Sequence, residues 1–254
     1  MNIMRIFKNI ITAVALTITA AGLSSCYIRL GNDLKSRFKN DLRYTLNEDM
    51  AKDTVTFDVG EFESISQERS LDDLIFIQTE GEYKVKIIAY SETVDSVTVN
   101  NDNGTLRIGV NHDKATIGPV QAWVYAPKIK GISTAGSGDL TINEYSGDSL
   151  TLVSAGSGDI NAFNIDLSGA LTVIGAGSGD QTLRHINTSE LVITKAGSAD
   201  GSYADINVGK LSLTSTGSGD SEFFGKAEYA TISKKGSGEI DTSHLKVKDL
   251  HFVD

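Results

Sequence analysis

The chain has 254 residues, with 25 Gly but only 2 Pro, a single Cys and a formal net charge of −10. That length accommodates one sizeable domain or two small ones, and so acidic a surface disfavours nucleic acid and anionic headgroups as partners. The sequence holds no His-Glu-x-x-His, no Gly-x-Ser-x-Gly and no phosphate loop, so the corresponding metalloprotease, serine-hydrolase and nucleotide chemistries are not signalled.

Arg5 and Lys8 precede an apolar run over residues 10–23. Its 14 residues are too few to span a bilayer, which takes about 20 in a helix. The layout is that of a secretory signal peptide over residues 1–25. Leu23-Ser24-Ser25-Cys26 resembles a bacterial lipobox, and Cys26 is the only cysteine in the chain. The resemblance implies cleavage before Cys26 and acylation there, which would hold the protein to a membrane. An ordinary signal peptide with an incidental cysteine is the alternative. No acidic residue stands next to Cys26, which leans towards the periplasmic face of an outer membrane. Residues 26–50 are polar and mixed in charge. They read as a tether, or as a short helix capping the folded part, since Leu30, Leu34, Phe38 and Leu42 stand four apart.

From residue 51 to the end the expectation is all-β. Val55, Phe57 and Val59 alternate with polar residues, the period of half-buried strands. Further strand runs cover residues 74–77, 83–90, 96–99, 105–110 and 120–125, and no segment has a helical period. Asn103-Gly104 signals a tight hairpin. Trp123 and Tyr125 share one face of an alternating strand. With Tyr203 they form a candidate ligand platform, beside the more usual alternative of half-buried packing.

The dominant pattern begins at residue 136. Gly-Ser-Gly-Asp or a close variant ends at Asp139, Asp159, Asp180, Asp200, Asp220 and Glu239, with spacings of 20, 21, 20, 20 and 19 residues. A fixed period with one recurring turn marks a repeat architecture. Aligned on the acid, Ile142, Ala162, Leu183, Tyr203 and Phe223 fall in one column; Leu150, Leu171, Leu191, Leu211, Ala230 and Leu250 fall in another. A third holds Tyr145, Ile165, Ile186, Ile206 and Leu245, with Lys226 as an exception. One repeat cannot bury such faces, whereas stacked repeats can. The expected fold is therefore a β-solenoid, a single-stranded β-helix with coils of about 20 residues and right-handed winding. Residues 51–130 would form irregular coils and residues 131–254 regular ones.

Stacking would also align the six acids. Either they form a cation ladder, with Ca²⁺ as the fitting ion, or they cap turn N–H groups; capping is preferred. His185 and His244 share an offset but stand three coils apart, about 14 Å at the usual strand spacing, too far to share a metal. No cofactor is otherwise implied.

The Gly-Ser-Gly-Asp repeats, Phe62-Glu63-Ser64-Ile65, the Gly104-x-Leu106-x-Ile108 segment and Val124-Tyr125-Ala126-Pro127 resemble the bacterial DUF2807 family of auto-transporter adhesin head domains. The similarity covers roughly residues 55–254. It implies an all-β, helix-like domain on secreted or lipid-anchored proteins of Gram-negative bacteria and supplies no catalytic residues. No C-terminal membrane barrel is read in the sequence, so the lipid on Cys26 would be the anchor. The leading functional expectation is a non-catalytic, lipid-anchored envelope protein that binds a glycan or another envelope protein. The alternatives are a structural or sensing module without a ligand, and a Ca²⁺-dependent polysaccharide-active enzyme.

Overall fold

The computed structural model describes residues 52–68, 71–111 and 118–253. The chain divides into two units, Met1–Asp49 and Met50–Asp254. The leader, Cys26 and the segment 26–50 lie outside the described residues.

Five strands carry the regular repeats: β12 (Ile160–Gly177), β13 (Gln181–Gly197), β14 (Gly201–Gly217), β15 (Ser221–Gly236) and β16 (Ile240–Val253). Each pairs in parallel with the next, so that Leu171, Leu191, Leu211, Ala230 and Leu250 stand side by side. Before them come β8 (Gly131–Gly136), β9 (Asp139–Ile142), β10 (Tyr145–Gly147) and β11 (Leu150–Gly156); β9, β10 and β11 stack on successive runs of β12, and β8 stacks on the other side of β11. The result is a β-solenoid of about six turns.

Within a coil the inward parity resets twice. In β12, Ile160, Ala162, Ile165, Leu167, Leu171 and Val173 all point inward and are at most 4% exposed. The first reset falls at Asn164, whose φ is 53°, and His185 and Asp205 occupy the same corner with φ of 56° and 54°. The second falls in β13 between Thr188 and Leu191, both buried and three residues apart, whereas β12 has one more residue at this corner, at the register shift between Leu167 and Ala170, and so keeps its parity there. A strand cannot turn a corner without breaking its period of two, so each coil consists of three straight runs around a shared apolar interior.

The register also accounts for Lys226. A shift between Tyr203 and Ile206 shortens the β15 coil, so Gly225 pairs with Ile206 and Lys226 pairs with Asn207 on the outside. Lys226 is thus no exception in the apolar column; Gly225 fills the inward place, with φ of 135°.

The first part of the described chain does not stack in sequence order. β2 (Ser64–Gln67) and β3 (Asp73–Gln78) form a coil lying directly against β8 and β9. β6 (Thr105–Val110) and β7 (Gln121–Ala126) form the next coil out, although they follow later in the chain. Outside them run antiparallel strands: β4 (Lys84–Tyr90) on β7, β1 (Lys52–Asp58) on β4, and β5 (Val97–Asp102) on β6. The short helix α1 (Ser91–Val94) joins β4 to β5, a one-turn element too short to leave a periodic signal. Asn103 and Gly104, with φ of 50° and 78°, make the two-residue turn between β5 and β6, as their sequence predicts.

Candidate functional site

Two features on one outer face stand out: the acidic column and the aromatic patch of β7.

The column rests on the Gly-Ser-Gly corner. The first Gly of each turn has φ between 111° and 145°, a region that favours Gly. A Cβ on Gly156 would strike the carbonyl oxygen of Gly136 in the adjacent coil. The second Gly has no such φ requirement, and Ala199 stands there in the fourth repeat, although a Cβ built on Gly158 would also meet the carbonyl oxygen of Gly138.

Behind this corner each of the five aspartates makes the same contact. Oδ1 of Asp139 accepts from the backbone N–H of Asp159 (2.8 Å), Asp159 from Asp180 (2.7 Å), Asp180 from Asp200 (2.7 Å), Asp200 from Asp220 (2.8 Å) and Asp220 from Glu239 (2.6 Å). The caps run between coils, so each carboxylate holds the corner of the next turn. Asp72 does related work at the irregular end, where its Oδ2 accepts from Val120 N–H at 2.7 Å. The sequence reading missed Asp72 because it lacks the Gly-Ser-Gly turn; Asp72-Asp73-Leu74 beside Asp139-Leu140 was the available signal.

An open groove of about 430 Å³ runs along this column, lined by Asp180, Asp200, Asp220, Glu239, Glu222 and Asp241. Its field attracts cations. Among the described residues no group of three or more His, Cys, Asp or Glu converges in a metal-holding arrangement.

Beneath the corners lies a polar pocket of the interior. Lys195, 3% exposed, donates from Nζ to the carbonyl oxygen of Asp220 and to Oγ of Ser221. Burial pushes its pKa below the ordinary lysine value, opposed by Asp200, Asp180 and Asp220. The hydroxyl of Tyr203 donates to Oε1 of Gln181 at 2.9 Å. Tyr203 is 0% exposed and stacks on Phe223, with ring centroids 4.6 Å apart. Burial raises its phenol above the usual range. Tyr203 therefore belongs to the core and not to an outer platform, because the third position after the acid points inward in every coil.

Trp123 and Tyr125 do face outward. The ladder sets Trp123 between Ile75 and Lys86, and Tyr125 between Ile77 and Lys84. All six are partly exposed. The Nε1–H of Trp123 is shielded from solvent and has no acceptor among the described residues. Thr141 and Asn161 continue the same row along the column. His185 pairs with Asp205 at 2.6 Å on a neighbouring corner.

A family model described as "Putative auto-transporter adhesin, head GIN domain" (DUF2807) matches residues 61–181 and 164–253. A putative adhesin from Bacteroides fragilis NCTC 9343 has a similar structure, with TM-score 0.58 and 18% identity over 80% of this chain and 97% of that one. A putative adhesin from Parabacteroides distasonis ATCC 8503 gives 0.54 and 16%, over 81% and 98%. A putative lipid binding protein from the same organism gives 0.53 and 16%, again over 81% and 98%. At these identities the likeness is one of fold. None of these descriptions names an enzyme. No curated protein matches the sequence.

Proposed function

The chain belongs to the DUF2807 family, and on that premise we propose that it is a non-catalytic, adhesin-like protein of the bacterial cell envelope that binds a glycan or another envelope protein. The observation that carries this reading is the outward aromatic pair. Trp123 and Tyr125 stand on the outer face of the sheet, flanked by Ile75 and Ile77 on one side and by Lys84 and Lys86 on the other. Aromatic faces with nearby hydrogen-bonding side chains suit a sugar ring or a peptide side chain. The groove of carboxylates further along the same ladder supports the same class of role, since it disfavours anionic ligands on that face.

The anchor proposed with this role is the lipid on Cys26, leaving the solenoid on the periplasmic face of an outer membrane. Its support is the lipobox-like sequence alone. One structural relative is described as lipid binding, which adds a lipid to the ligand classes worth screening.

A glycan array and an envelope pull-down with protein beginning at residue 27 test the binding role. Capture that is lost in a folded Trp123→Ala, Tyr125→Ala double variant supports it. A folded protein that captures neither glycan nor protein removes it and leaves a structural module. Metabolic lipid labelling unchanged in Cys26→Ala would remove the anchor.

A further inference from the structure

The two ends of the solenoid are built differently. At one end, β4 and β5 run antiparallel over the outermost coil. The edges left there are short: β1 carries Lys52, Asp53 and Asp58, and β5 carries Asn100, Asn101 and Asp102. Short, charged edges resist further pairing. At the other end, β16 pairs with β15 on one side and, among the described residues, with nothing on the other. It is 14 residues long. The large apolar side chains left most exposed among the described residues all gather there: Phe252 at 64%, Tyr229 at 57% and Val253 at 49%.

The pattern of β16 is nearly symmetric about Lys246. Ile240, Thr242, Leu245, Val247, Leu250 and Phe252 occupy the inward-pointing places, while Asp241, Lys246 and His251 point outward. We propose that two copies of this chain associate end to end, their β16 edges pairing antiparallel about a two-fold axis through Lys246. That register sets Ile240 opposite the partner's Phe252, Thr242 opposite the partner's Leu250 and Leu245 opposite the partner's Val247. Inward places then meet inward places, so two open apolar interiors become one. On the outside, Asp241 meets the partner's His251, an attractive pair. Lys246 meets the partner's Lys246, which works against the dimer.

A second copy is the occupant favoured over a membrane. A lipid surface would cover Phe252 and Val253 but leave the backbone N–H and C=O groups of the edge without partners, which hydrocarbon does not tolerate. A strand satisfies both. A two-fold contact also closes on itself, whereas pairing β16 with β1 or β5 of another copy would propagate into a fibre.

The axis gives a one-residue test. Lys246→Cys in the full chain, oxidised in the intact envelope, places the new thiol opposite its own mate. Lys226→Cys, one coil back in the ladder, does not. The expected result is a disulfide-linked species of twice the monomer's mass for Lys246→Cys only, with none in the parent chain. Phe252→Glu in that background weakens association by about a hundredfold, since each dimer loses the burial of two Phe side chains. Lys246→Ser strengthens it in sedimentation experiments on the full chain in detergent. The proposal is overturned if a folded Lys246→Cys chain stays monomeric, if Lys226→Cys cross-links equally, or if a ladder of polymers forms. It is equally overturned if the monomer binds phosphatidylglycerol vesicles through Phe252.

Discussion

Oδ1 of Asp159 accepts a 2.7 Å hydrogen bond from the backbone N–H of Asp180, one coil further along the column. This contact ties the repeat's acid to the fold: the carboxylate of one coil satisfies the corner amide of the next. Replacing Asp159 by Ala leaves that N–H without its acceptor, at a cost of about 1–3 kcal/mol. Asn keeps an Oδ1 and removes a charge from a like-charged column, so Asp159→Asn should stay within about 0.5 kcal/mol of the parent. Urea denaturation of the two variants checks the ordering.

Calcium distinguishes capping from ligation in the same column. If the acids act as caps, calcium should raise the melting temperature no more than sodium chloride of equal ionic strength, because both only screen the carboxylates. Saturable heat of calcium binding that disappears on Asp159→Asn with Asp180→Asn would instead identify a cation ladder.

The two glycines of the corner should differ in tolerance. Gly156 has φ of 145°, and an added Cβ meets the Gly136 carbonyl. The backbone strain alone costs about 1–3 kcal/mol. An added Cβ on Gly158 meets the Gly138 carbonyl just as closely, but Gly158 needs no positive φ, and its equivalent in another coil is Ala199, so the two positions differ in backbone strain. Gly156→Ala should therefore lower the melting temperature distinctly more than Gly158→Ala, measured by circular dichroism.

Lys195 should leave a signature in the alkaline range. Its pKa is held below 10.5 in the folded state, chiefly by burial. The charged form is thus penalised by folding, and the penalty is complete below the folded pKa. It fades as pH rises towards 10.5, where the unfolded chain also loses its proton. Lys195→Met should be at least as stable as the parent at neutral pH. Its advantage should shrink between the folded pKa and 10.5. Chemical denaturation of both proteins at stepped pH values reads this difference directly.

Much of the solenoid was legible because its contacts are lateral and nearly one-dimensional. Residues about 20 apart are neighbours, so aligning the repeats aligned the true partners, as Leu171, Leu191 and Leu211 show. The corner was legible for the same reason: Gly136, Gly156 and Gly177 meet one backbone requirement in successive coils. Tyr203 was misplaced although its column was recognised, since its ring chemistry outweighed its parity. Asp72 was missed because it caps without the turn that marks the others.

The sequence by itself therefore determined the period, the apolar columns, the glycine corner and the Asn103-Gly104 hairpin, all set by local backbone preference and side-chain alternation. Only the tertiary structure decided that β6 and β7 lie beyond β2 and β3, that Gly225 absorbs the residue missing from β15, and that each acid caps its neighbour. It also decided that one end carries antiparallel strands while β16, among the described residues, has an unpaired edge. Those features depend on which strands meet across long stretches of chain, and strand pairing between distant segments leaves no period to read.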